Sequence, residues 1–160
     1  MPGPHGTAAV RPECGHVACV RGPIDSARVL DAVRDVDAGG NVLFVGTVRG
    51  TTDGVATRGL EYDAHEPLAI ATLDGLRRDA IERFKLQGCA IVHRLGIVAA
   101  GEAAVAVATS APHRDAAFAA AEWLMAAIKR EVPIWKGEER ADGRIEWLHP
   151  ESAPRPGGGT

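Results

Sequence analysis

Aromatic side chains are scarce in this sequence: three Phe, three Trp and one Tyr make up 4% of 160 residues. Such a chain has little with which to stack unpaired bases. Positive charge is not in excess either. Eighteen Lys and Arg face 21 Asp and Glu, for a net charge of −3, which excludes a general attraction to nucleic acid or to an anionic membrane. Any anion site must come from local clustering. There are only three cysteines, Cys14, Cys19 and Cys89, an odd number without framework spacing, which points to a reducing compartment. No apolar run nears the roughly 20 residues of a membrane span, and the opening Met1-Pro2-Gly3-Pro4 lacks the basic and apolar regions of a signal peptide. The expected address is the cytoplasm. A Walker loop, a dinucleotide-type glycine fingerprint and an internal repeat are all absent.

What remains is a globular composition, 46% hydrophobic and 24% charged, of a size to form one domain with a sizeable core. Residues 1–13 and 150–160 are rich in Pro and Gly and are expected to be flexible tails around a domain at 14–149. Between them the hydrophobic period alternates. His16–Val20 reads as a strand. Asp25 or Ser26 caps a helix carrying Val29, Leu30, Val33 and Val36, which Gly39-Gly40 stops. Asn41–Arg49 reads as a strand with a bulge at Gly46, Thr51–Gly54 as a loop, and Leu60, Tyr62 and Ala64 as the buried phase of another strand. Glu66-Pro67 opens the longest helix, with Ala69, Leu73, Leu76, Ala80 and Phe84 as its stripe and Gly88 at its end. Cys89–Leu95 and Ala103–Thr109 are strands joined by a Gly96…Gly101 turn region. A helix over 112–131, begun by Ser110 or its neighbours, carries Ala117, Ala121, Leu124 and Ile128, and Pro133 prevents its continuation. Ile134–Lys136 and Arg144–Leu148 form a last strand pair around Asp142-Gly143. The short connections make the sheet partly antiparallel, and the fold class α+β.

Three clusters hold unusual polar residues: Phe44–Gly50, Ser110–Asp115, and Lys129 with Val132–Glu138. Each has an ordinary reading. An arginine closing a strand is commonly a solvated edge charge, and a lysine in a last helical turn suits the helix dipole. His113 and Arg114 are different, because a helix start already carries partial positive charge. A bound anion would give a reason to keep them there. Cys14-x-His16-x-x-Cys19 has metal-like spacing without a fourth ligand, so no metal is expected. Ser110, His113 and Asp115 share one turn, which is unsuited to a catalytic triad.

Order and spacing add to this. Phe44-x-Gly46-x-Val48-Arg49, Leu60-Glu61-Tyr62 and His93-Arg94-x-Gly96 resemble the catalytic (large) subunit of molybdopterin synthase. So do Gly101-Glu102, His113-Arg114-x-x-Ala117-Phe118, and Lys129-x-x-Val132-Pro133-Ile134-Trp135-Lys136-x-Glu138. The resemblance spans about residues 16–149. It implies an α/β hammerhead fold with a mixed, largely antiparallel sheet subdomain. It implies a sulfurtransferase of molybdenum-cofactor biosynthesis that converts cyclic pyranopterin monophosphate to molybdopterin. Sulfur would come from the C-terminal Gly-Gly thiocarboxylate of a small ubiquitin-like partner, with one such subunit at each end of a central homodimer. No cofactor is implied. By the same resemblance Arg49, His113, Arg114, Lys129 and Lys136 are pocket residues, and Thr47, Val48, Gly137 and Glu138 line it. Ala126 and the stretch after Trp147 depart from the pattern, since relatives often carry an aspartate at the first and a C-terminal arginine beyond the second; Arg155 is the nearest arginine here.

The residue types suit such a reaction. Both reactants are anions that repel each other, and gathered cations neutralise them. Crowded cations also lower a lysine pKa, which allows proton transfer near neutrality. Lys129 is the expected proton-transfer or covalent residue, Lys136 holds the partner's tail, and Arg49, His113 and Arg114 hold the phosphate. A continuous helix from 113 to 129 separates its ends by about 24 Å, so the two cation sets can meet only across a two-fold interface. The rival reading is a non-catalytic module binding phosphate or a nucleotide; a phosphoester hydrolase built on His113 is a weaker one.

Overall fold

The computed structural model describes residues 16–140 and 142–148. Both expected tails, Cys14 and Arg155 lie outside the described residues. Strand β1 (Val17–Val20) is followed by helix α1 (Ser26–Asp31), where the Asp25 carboxylate accepts from Arg28 N at 3.2 Å. This helix is shorter than its apolar spacing predicts. The bonds Val33 N–Leu30 O and Arg34 N–Asp31 O, both 3.2 Å, tighten the chain to a three-residue period. Asp35 then accepts from Asp37 N at 2.9 Å, which diverts the backbone. Val33 is buried, whereas Val36 is fully exposed.

Strand β2 (Gly40–Thr47) pairs antiparallel with the later strand β8 (Ala103–Ala111), and the register slips between Gly46 and Thr47. A Cβ on Gly46 would sit 2.8 Å from Val105 Cγ1, so the bulge position calls for glycine. The expected loop at 51–54 is instead a small hairpin, β3 (Thr51–Thr52) and β4 (Val55–Ala56), turning through Asp53 and Gly54. Their φ values of 50° and 79° suit a two-residue hairpin turn. Strand β5 (Gly59–Ala64) leads into helix α2 (Glu66–Phe84), with Pro67 in the first turn and His65 Nδ1 accepting from Leu68 N. Helix α2 ends at Lys85 in the left-handed region, not at Gly88. Gly88 opens strand β6 (Gly88–Arg94), where a Cβ would press on Ser110 Oγ and Val33 Cα at 3.0 Å.

The expected turn region after β6 holds a further strand, β7 (Gly96–Ala99). Ser110 stays within β8 and does not start a helix; α3 (Arg114–Glu131) begins after His113, which makes no side-chain cap. The Thr109 hydroxyl instead donates to Ala117 O at 2.8 Å, tying strand to helix. Val132 and Pro133 end α3, and β9 (Ile134–Glu139) and β10 (Ile145–Leu148) follow as the last described elements.

Two four-stranded sheets result, ordered β1-β6-β8-β2 and β10-β9-β5-β7. Among the described residues only β1–β6 pairs in parallel. The fold is α+β, as its short connections imply. Helices α2 and α3 cover one face of the first sheet, burying Leu73, Leu76, Ile91, Val107, Leu124 and Ile128. Each such side chain contributes about 1.5–3 kcal/mol. Helix α1, through Val29, and the turn after it, through Val33, cover the opposite face. Among the described residues strand β2 is an edge. Among the described residues no helix is long and apolar enough to cross a membrane.

Candidate active site

Where the end of β2, the end of α3 and the inner face of the second sheet meet, they enclose a cavity of about 380 Å³. Three cations from separate stretches line it: Arg49 just beyond β2, Lys129 in the last turn of α3, and Lys136 on β9. Each is placed by local structure. Buried Val48 donates from its N–H to Glu102 O at 3.0 Å and accepts from Gly101 N at 2.7 Å, which anchors the residue before Arg49. Pro133 turns the chain sharply enough that helix and strand each present a lysine to one space. Strand alternation puts Lys136 and Glu138 on the cavity side together.

Electrostatics distinguish these groups. Partial burial holds the Lys136 ammonium below the usual lysine range, reinforced by the charges of Lys129 and Arg49 and opposed by Glu138. Glu138 is 2% exposed. Its Oε1 accepts from the Thr57 hydroxyl at 2.5 Å, and Oε2 lies 3.8 Å from an Arg140 nitrogen. Phe44, Leu60, Tyr62 and Met125 supply an apolar wall. Burial raises the Tyr62 phenol, and its ring stands edge-on to His93 with centroids 5.1 Å apart. His93 is within 2.8 Å of Arg94 O through Nδ1, and burial pushes it down to about 4.

The structure therefore gathers Thr47, Val48, Arg49, Lys129, Lys136 and Glu138 around one space. Gly137 lies elsewhere. It occupies the other face of β9, where a Cβ would meet Ile145 Cγ2 at 2.5 Å and Trp147 at 3.1 Å. His113 and Arg114 are exposed at the far end of α3, beside Gly40. Helix α3 runs alongside β2, so Arg114 neighbours the strand's start and Lys129 its end. About 24 Å of helix separates His113 from Lys129. Between them the surface exposes Phe118 and Phe44.

Sequence reading alone missed Thr52, Thr57, Tyr62 and Met125 on the cavity wall. The alternation of β5 holds the signal for Tyr62, which sits directly across from Lys136. Thr57 carries no local signal. Two other hollows, of about 410 and 590 Å³, flank α1. Their charged lining is of mixed sign, Arg34 with Asp35 in one and Arg28 with Asp25 and Asp31 in the other, and neither gathers several cations. The cationic cavity can hold anionic groups, and its depressed lysine can exchange a proton nearer neutrality than an ordinary one.

The model of the MoaE protein family matches residues 19–131. The molybdopterin synthase catalytic subunit of Aspergillus oryzae is 41% identical over 132 residues, 82% of this chain and 74% of that protein. The Bacillus subtilis protein of the same name is 41% identical over 126 residues, 79% of this chain and 80% of its own. The crystal structure of molybdopterin synthase from Staphylococcus aureus superposes with a TM-score of 0.78 at 36% identity, covering 82% of this chain and 95% of that one.

Proposed function

The chain belongs to the MoaE family of molybdopterin synthase catalytic subunits, and from that premise we propose that its cationic cavity is where sulfur reaches the pterin. The substrate is cyclic pyranopterin monophosphate, and the donor is the C-terminal thiocarboxylate of a small ubiquitin-like subunit. One observation carries the reading: Arg49, Lys129 and Lys136, remote in sequence, converge on a single cavity. Two anionic reactants repel each other, and three solvent-accessible cations around one cavity offset that repulsion. Lys136 holds the tail. Lys129 transfers protons or attaches transiently to the acyl group, and Arg49 steadies the phosphate. A dithiolene needs two sulfur atoms, so two tails are consumed for each product.

His113 and Arg114 complete the phosphate site from a second copy of the chain. Support for this comes from the edge position of β2. A two-fold axis near the middle of that strand would set its start against its partner's end. The second copy's His113 and Arg114 would then stand beside this copy's Arg49 and Lys129. Exposed Phe44 and Phe118 would be covered in the same contact.

Incubating the chain with the cyclic pterin phosphate and a thiocarboxylated partner tests the activity. Dithiolene formation is expected, reduced about 10²- to 10⁴-fold by Lys129→Ala. Tight pterin binding without sulfur transfer would favour a non-catalytic module, and phosphate release without sulfur transfer a hydrolase. Undiminished turnover by Lys136→Ala would remove the cavity from the mechanism.

A further inference from the structure

A cavity that receives anions also contains an anion of its own. Glu138 is 2% exposed and shares the cavity wall with Arg49, Lys129 and Lys136. Left free to turn, its carboxylate would repel both a phosphate and a thiocarboxylate. Burial also denies it the water that normally satisfies its lone pairs. Something must fix its direction.

Thr57 is built to do so. It is 5% exposed and donates its hydroxyl to Glu138 Oε1 at 2.5 Å, across 81 positions of sequence. It is itself immobilised. Its N–H donates to Gly50 O at 2.9 Å, closing the neck of the β3–β4 hairpin, and Arg58 next to it accepts from Ala100 N at 3.0 Å. The hydroxyl thus projects from a backbone held on both sides. The second oxygen of Glu138 faces Arg140, which is anchored on Glu146 by its Nε at 3.0 Å. The carboxylate is therefore held from the hairpin side and the β10 side, leaving its charge to act on Lys136.

The geometry assigns Thr57 as a positioning residue: its hydroxyl aims the Glu138 carboxylate so that Lys136 keeps a counter-charge while the cavity stays open to anions. This rests on the reading of the cavity given above. Thr57 touches neither reactant in this role. It acts through Glu138, and the groups that face Lys136 are Arg49, Lys129, Glu138 and the Tyr62 phenol.

The test measures the titration midpoint of Lys136 in the full chain, by competitive amine labelling across pH with peptide mass spectrometry. Thr57→Val keeps the shape and loses the donor, and the midpoint is expected to move down, because a carboxylate turned away no longer favours the ammonium. Thr57→Ser should restore it. Glu138→Gln should lower the midpoint by itself, and adding Thr57→Val to it should change nothing more. An unchanged or raised midpoint in Thr57→Val, or full additivity with Glu138→Gln, would overturn the assignment. Thr57→Ala repeats the comparison if the valine variant does not fold. Labelling needs no turnover, so it stands apart from the activity of Lys136→Ala, which judges the cavity reading. In turnover, the KM for the partner should begin its alkaline rise at lower pH in Thr57→Val than in the unaltered chain.

Discussion

The separation along α3 makes a quantitative prediction. His113 and Lys129 stand about 24 Å apart on one continuous helix, farther than a single pterin reaches. If one working site takes Lys129 from one chain and His113 from another, Lys129→Ala and His113→Ala chains are each inactive alone but complementary when mixed. Random exchange at equal amounts gives about one half mixed dimers. Each mixed dimer has one site with both residues intact and one lacking both. Activity should therefore recover to about a quarter of wild type, counted per chain. The assay is dithiolene formation after exchange, with the mixed dimer quantified by native mass spectrometry of mass-labelled chains. A mixture that stays inactive with mixed dimers verified would refute sharing. Recovery well above a quarter would show that the two residues are not both required.

Three further outcomes follow from the packing and the charges. Gly40→Val should destabilise the fold by about 1–3 kcal/mol and weaken pterin-phosphate binding, because its Cβ would come within 2.9 Å of Arg114 Cα; urea unfolding and a binding titration read the two effects. His93 has a folded pKa pushed down to about 4 by burial, below its unfolded value, so the unfolded state binds the extra proton first. Stability should be full above about pH 6.5 and fall by up to about 3 kcal/mol as pH drops toward 4, and urea midpoints in His93→Phe should lose that slope. Lys129→Gln removes a like charge facing Lys136, so the Lys136 labelling midpoint should move up; a downward move would contradict the cavity's electrostatics.

Much of this architecture is readable from the chain because its signals are local. The alternation of Leu60, Tyr62 and Ala64 defines β5, and the spacing of Ala69, Leu73, Leu76 and Ala80 defines the buried side of α2. Arg77 escapes that logic. It is 1% exposed on α2, where its Nε and a terminal nitrogen reach Asp74 Oδ1 at 3.0 and 2.9 Å, so a paired charge occupies a place that hydrophobicity would not assign. Strand β7 was hidden because Ile97-Val98 is too short to show a period between glycines. Its strand character comes from pairing with β5. Helix α1 stopped early through a side-chain turn at Asp35, a competition that apolar spacing does not register. At the site, the resemblance brought forward the three cations that the fold gathers. It also brought forward Gly137, although strand alternation from Lys136 and Glu138 already turns that residue away. The partner of Glu138 lies 81 positions earlier, and no local pattern anticipates it.

Helix α3 has one more consequence, since no rotamer change can shorten a rod of that length. A polypeptide whose two extremities serve different clefts has its output tied to how often copies meet. If two copies share each cleft as proposed, dilution lowers activity per chain by separating them, and abundance then sets the rate of synthesis.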